Sequence, residues 1–230
     1  IGDSSLYKST TVSGNTAVGS KAMYTNTTGA NNASFGAYSL RYNTTGSNNA
    51  AFGYNALVNN STGGTNTAIG QGSMQMNSTG IGNTSLGGYT LDDNTTGGSN
   101  VAIGIYALQA NTTASNNTAI GSNSLYSNTT GGSNIAIGDN VLYNSINGDI
   151  NIGIGTEGVL YNNIDGTGNI GIGTTSPNSK LNIVASAGSP LLLLEGSGLV
   201  GGGLHFTYKN TNEGYEIRGD DQGGINLEAS

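Results

Sequence analysis

The sequence holds one histidine, His205, and no cysteine, so a cysteine–histidine nucleophile pair cannot be assembled from it. His205 lies in the alternating stretch Leu204, His205, Phe206, Thr207, Tyr208, which reads as a strand with the imidazole on a surface or at an interface. Asp220 and Asp221 are adjacent carboxylates, but glycosidase pairs come from separate parts of a cleft, and these two follow Gly219 in turn-type sequence. Gly153-Ile154-Gly155 has the spacing of a phosphate-cradling loop without the helix that would have to follow it. Asn26, Asn43, Asn60, Asn77, Asn94, Asn111 and Asn128 each begin an Asn-x-Ser/Thr acceptor pattern for N-glycosylation, yet all arise from one repeated turn. These residues point away from catalysis, and the expectation is no enzyme activity, no cofactor and no metal.

The elements that position them are set by a spacing. Gly2, Gly19, Gly36, Gly53, Gly70, Gly87, Gly104, Gly121, Gly138 and Gly155 recur every 17 residues, and Gly173 follows after one inserted residue. Asparagine stands four positions before each later glycine: Asn15, Asn32, Asn49, Asn66, Asn83, Asn100, Asn117, Asn134, Asn151 and Asn169. A large apolar residue immediately precedes each glycine (Val18, Phe35, Phe52, Ile69, Leu86, Ile103, Ile120, Ile137, Ile154, Ile172). Another follows four later (Leu6, Met23, Leu40, Leu57, Met74, Leu91, Leu108, Leu125, Leu142). Such internal repetition outranks any local motif in deciding architecture.

Within a repeat, Asn-Thr-Ala-Ile-Gly alternates with the period of a strand, Thr118 and Ile120 facing one way and Asn117 and Ala119 the other. The segment after the glycine, as in 122–126, is expected to form a second short strand, and Asn-Thr-Thr-Gly supplies the turn. The resulting fold class is all-β: a parallel β-solenoid of 17-residue coils over 1–173, about 45 Å long at the usual strand spacing. Recurrent glycine and the lack of a 3.6-residue apolar stripe exclude a helical reading. The asparagine column reads as a structural ladder, stacked side chains bonding one another and capping the turn backbone. One coil buries too little apolar surface to offset the ordering of its backbone, so an outer face is expected to be buried against identical chains.

After Gly173 the repeat stops, and the only two prolines, Pro177 and Pro190, follow. Short strands are expected at 180–184, 191–195, 204–208, 215–218 and 225–227, making 174–230 a small non-repetitive β-domain too small for an independent core.

Composition supports a structural protein. Glycine is 40 of 230 residues and charged residues are 8%, with a net charge of −7. Six cationic residues provide no basic stripe, so neither nucleic acid nor membrane insertion is expected. No apolar run approaches the length of a membrane span. The chain begins inside a repeat and without methionine, as a segment of a longer polypeptide would.

The Asn-Thr-Ala-Ile-Gly coil at 117–121 resembles those of trimeric autotransporter adhesin heads, with a longer period here. The Asn-Thr-Thr-Gly turns, followed by Asn169-Ile170-Gly171-Ile172-Gly173-Thr174-Thr175-Ser176-Pro177 and then Lys180-Leu181-Asn182-Ile183, are more closely similar to bacteriophage tail fibres and related tail-fibre-domain proteins. The resemblance implies a left-handed β-roll in a homotrimeric fibre on the virion, attaching to a bacterial surface glycan or protein through this or an adjoining segment. The alternative it leaves open is a trimeric adhesin on a bacterial cell surface. A third class is a monomeric ice-binding solenoid, to which the threonine pairs at 27/28, 44/45, 95/96, 112/113 and 129/130 would give a regular edge. Tyr7, Tyr24, Tyr126, Tyr143 and Tyr161 share one column, and Tyr38, Tyr89 and Tyr106 another. They are candidates for saccharide stacking or for packing between subunits.

Overall fold

The computed structural model describes residues 1–9, 13–155, 159–161, 163, 166–175 and 180–183, all within the unit Ile1–Leu191. The strands expected at 191–195, 204–208, 215–218 and 225–227, and most of the domain expected at 174–230, lie outside the described residues.

Eleven three-residue strands follow in order: β1 (Thr16–Val18), β2 (Ala33–Phe35), β3 (Ala50–Phe52), β4 (Thr67–Ile69), β5 (Thr84–Leu86), β6 (Val101–Ile103), β7 (Thr118–Ile120), β8 (Ile135–Ile137), β9 (Ile152–Ile154), β10 (Ile170–Ile172) and β11 (Leu181–Ile183). They form one sheet in chain order. Each strand pairs in parallel with the next, and from β1 to β9 the register equals the repeat, as in Thr67↔Thr84 and Ile69↔Leu86. The inserted residue is absorbed outside the strands, because β9 and β10 still pair Ile152↔Ile170. Beyond Gly173, β11 continues the same sheet through Ile170↔Leu181. The protein is therefore an all-β parallel β-solenoid of 17-residue coils, with no helix among the described residues, and so none long and apolar enough to cross a membrane.

The strands divide as period-2 alternation requires. In β7 the middle residue, Ala119, is buried, while Thr118 and Ile120 face outward; the asparagine before each strand turns inward with the alanine. The interior is narrow. One side of it is the middle-strand column (Ala17, Ser34, Ala51, Ala68, Ser85, Ala102, Ala119, Ala136), and the other is a second small-residue column that includes Ala22, Ser39, Ala56, Ser73, Thr90, Ala107 and Ser124. Next to the second column in sequence, and packed in the same interior, is the fully buried column Met23, Leu40, Leu57, Met74, Leu91, Leu108, Leu125, Leu142 and Leu160. Where serines meet across the interior they satisfy one another, as Ser73 Oγ and Ser85 Oγ do at 2.7 Å.

The segment after the glycine is not a second strand. In each complete coil two of its residues have positive φ, for example Asn55 (58°) with Leu57 (51°), and Tyr106 (58°) with Leu108 (52°). This left-handed conformation is uncommon outside glycine. It lets adjacent residues such as Ala56 and Leu57 both be buried, which an extended strand forbids because its successive side chains point to opposite faces. Pairing between coils nevertheless continues: the Asn55 amide donates to the Ala37 carbonyl of the preceding coil at 3.1 Å, and the Leu57 amide to the Ser73 carbonyl of the next at 3.0 Å.

The glycine column has two reasons to exist. Gly19 through Gly155 hold φ between +124° and +149°, a region that side chains disfavour. A Cβ on Gly87 would also lie 2.7 Å from the Gly104 carbonyl oxygen of the next coil.

Candidate functional site

Two asparagine ladders run through the solenoid. In the strand-leading ladder each Oδ1 accepts from the backbone N–H of its equivalent in the next coil. Asn32 donates to Asn15 at 2.9 Å, Asn83 to Asn66 at 2.9 Å, Asn117 to Asn100 at 3.0 Å and Asn169 to Asn151 at 3.0 Å. The links between Asn32, Asn49 and Asn66, and those joining Asn83, Asn100, Asn117, Asn134 and Asn151, repeat the pattern. From Asn15 to Asn151 each Nδ2 reaches a carbonyl of the following turn, such as Asn32 to Gly46 at 2.9 Å and Asn100 to Ala114 at 2.9 Å, while Asn169 Nδ2 donates to Asn163 Oδ1 at 3.1 Å. Direct contact between the side chains is secondary, for example Asn100 Nδ2 to Asn83 Oδ1 at 3.1 Å.

The second ladder is formed by the turn asparagines that carry the acceptor pattern. Asn43 Nδ2 donates to Asn26 Oδ1 at 2.7 Å, and Asn60, Asn77, Asn94, Asn111 and Asn128 continue the chain at 2.7 to 3.1 Å. Each Nδ2 also bonds the carbonyl three residues on, Asn43 to Gly46 at 2.9 Å. The Gly46 carbonyl thus accepts from both ladders. All seven asparagines are fully buried with their amides donated, so none is available to a glycosyltransferase. The sequence contained the signal for this ladder in the same 17-residue spacing, masked by its match to a modification pattern.

Threonine lines the adjoining outer edge. The first hydroxyl of each pair bonds the next coil's backbone, as Thr44 Oγ1 does to the Ser61 carbonyl at 2.9 Å. The second residue points outward: Thr28, Thr45, Thr62, Thr79, Thr96, Thr113 and Thr130 are all exposed.

The tyrosines stack by column. Tyr7 and Tyr24 lie 5.0 Å apart, Tyr126 and Tyr143 4.9 Å, and Tyr143 and Tyr161 5.1 Å, each within 5° of parallel. Tyr89 stacks on Tyr106 at 5.7 Å, and Tyr106 meets Tyr126 edge-on at 6.4 Å. The two columns therefore merge into one array over five coils. Within the parallel part of the array, neighbouring rings cover one another's faces and leave edges and hydroxyls outward, which removes most of the surface a sugar ring would stack on. Reduced solvation, with Tyr126 and Tyr161 adding, holds the Tyr143 hydroxyl above its ordinary pKa of 10.0.

On the sheet's outer face the apolar column Val18, Phe35, Phe52, Ile69, Leu86, Ile103, Ile120, Ile137, Ile154 and Ile172 is continuous, and every member but Ile103 is 36% to 44% exposed. Phe35 and Phe52 stack there at 4.9 Å. No group of three metal-type ligands forms among the described residues. His205, Asp220 and Asp221 lie outside them. No protein family, curated protein or solved structure matches the chain.

Proposed function

We propose that this chain is a non-catalytic structural segment of an attachment fibre of the bacteriophage tail-fibre type, assembled as a homotrimer. The observation that supports this best is the outward apolar column on the sheet. It is ten coils long and unbroken, whereas scattered single exposures would need no explanation. The interior, with one large apolar residue per coil, offers little to compensate for exposing that column, so contact between identical chains is the economical way to cover it. The number three comes from the resemblance of the coils and of the 169–177 junction to trimeric fibres. A bacterial trimeric adhesin would use the same interface.

Light scattering on the isolated chain tests the proposal. A mass near three times 23.0 kDa supports it, and a single-chain mass overturns it. Ile69→Glu with Ile120→Glu is expected to give folded single chains, because both side chains point outward and only the interface is affected. The exposed threonine column favours a second reading, a monomeric ice-binding solenoid; a single-chain mass accompanied by thermal hysteresis would be its signature.

A further inference from the structure

We infer that three successive coils, those that follow Gly19, Gly36 and Gly53, carry a binding site for an anionic saccharide, centred on Arg41. The site deepens the attachment reading, on which it rests for its biological sense.

Arg41 occupies the column of Tyr7, Tyr24, Val58, Gln75, Asp92, Gln109, Tyr126, Tyr143 and Tyr161, so the repeat does not call for a cation there. Its guanidinium lies 5.1 Å from the Tyr38 ring and 4.8 Å from the Tyr42 ring, and Lys21 Nζ lies 5.9 Å from the Tyr38 ring. Two cations are thus held around one tyrosine.

Arg41 has no acidic residue in its own coil or in either adjoining one, while Lys21 lies nearer to one, its amide donating to the Asp3 carbonyl of the preceding coil at 2.8 Å. The sequence has no acidic residue between Asp3 and Asp92, while three of its six cationic residues, Lys8, Lys21 and Arg41, fall in that stretch. Arg41 Nε is buried and donates to no partner in the protein. A guanidinium fixed by aromatic rings, with its donors unspent, suits the planar, two-oxygen face of a carboxylate or phosphate.

The aromatic surroundings favour a sugar as the carrier of that charge. Tyr42 and Tyr54 are 42% and 50% exposed. Tyr54 meets Tyr38 edge-on at 5.8 Å and 80°, which leaves its ring open to the C–H face of a pyranose, unlike the parallel stack at Tyr126 and Tyr143. Two cations in a chain of net charge −7 are too few to hold a polyphosphate backbone.

Calorimetric titration of the full chain with trigalacturonate, glucose 6-phosphate and neutral maltotriose tests the site. At least one anionic probe is expected to bind more tightly than maltotriose by about tenfold or more, and to weaken as salt is raised. Which one binds identifies the charge as carboxylate or phosphate. Arg41→Gln is expected to lose about tenfold, and Lys21→Asn about threefold. Both replacements already stand in these columns, at Gln75 and Gln109 and at Asn55, Asn123 and Asn140, so the coil accommodates them. Equal binding of maltotriose, binding unaffected by Arg41→Gln, or no binding of either anion would overturn the site. A trimer without binding removes the site and leaves the fibre; a single chain that binds through Arg41 removes the fibre and leaves the site.

Discussion

The coils joined by Asn26 to Asn128 and those that follow Asn134 share one sheet and one register but differ in how completely they are bonded. In the first group every turn asparagine is joined to the next through Nδ2 and Oδ1. In the second, Ser145 stands where asparagine is due, and its side chain is too short to reach. Asn128 Oδ1 and Ser145 Oγ are both left buried without partners. The interior changes there as well. Val141 replaces the small residue of its column, and β9 and β10 have glycine, Gly153 and Gly171, where earlier strands have alanine or serine. A Cβ on Gly153 would lie 2.6 Å from Val141 Cγ1, and one on Gly171 2.8 Å from Leu160 Cγ. The volume missing on one side of the roll has moved to the other. In these coils the change in packing is compensated across the interior, whereas the gap in the polar ladder is not.

Breaking the intact group should have the largest effect. Asn77→Ala removes the donor to Asn60 and the acceptor for Asn94, and should cost about 2 to 4 kcal/mol in denaturant unfolding, since groups left buried without partners lose their full solvation. Gly153→Ala comes next, at about 1 to 3 kcal/mol from overpacking against Val141. Adding Val141→Ala should recover most of that loss, and a double-mutant cycle measures the coupling. Ser145→Asn works in the opposite direction: by rejoining the ladder at Asn128 it should raise stability by about 1 to 2 kcal/mol. An unchanged unfolding midpoint would show that the gap costs nothing.

The smallest effect belongs to a flaw inside the intact group. Burial, with Asp93 adding, raises the Asp92 carboxyl from 3.8 to about 6. The folded chain holds this proton more tightly than the unfolded chain, so the contribution to stability is full below the unfolded pKa and is lost as pH rises through about 6. Asp92→Asn should therefore raise stability at neutral pH by about 1 kcal/mol, the shift being discounted because the group is half exposed. It should also flatten the pH profile between about 4 and 6.

Much of the solenoid was legible because a repeat states its own register. The 17-residue spacing specifies which residues pair between coils, and Asn-Thr-Ala-Ile specifies which of them turn inward. The path after the glycine was harder to read. Ala56-Leu57 and its equivalents suggest part of a strand, but two adjacent apolar residues that must both be buried already conflict with a period of two, and the left-handed residues resolve the conflict. The turn ladder was concealed for a different reason: Asn-Thr-Thr matches a modification pattern defined by sequence alone, whereas its role depends on a neighbour 17 residues away. The aromatic array could not be read by column, since Tyr106 and Tyr126 belong to different columns and meet only because adjacent coils bring them together.

The shared carbonyl at Gly46 and its equivalents makes the coils interchangeable, because every rung presents the next with the same donors and acceptors. Length then becomes a quantity counted in whole steps. Excising one period between matching asparagines, such as residues 60–76, would bring Asn77 to the position of Asn60 and leave every bond of the two asparagine ladders with a partner of the same kind. In a chain whose units contact only their neighbours, such losses and gains alter reach without requiring the rest of the fold to adjust.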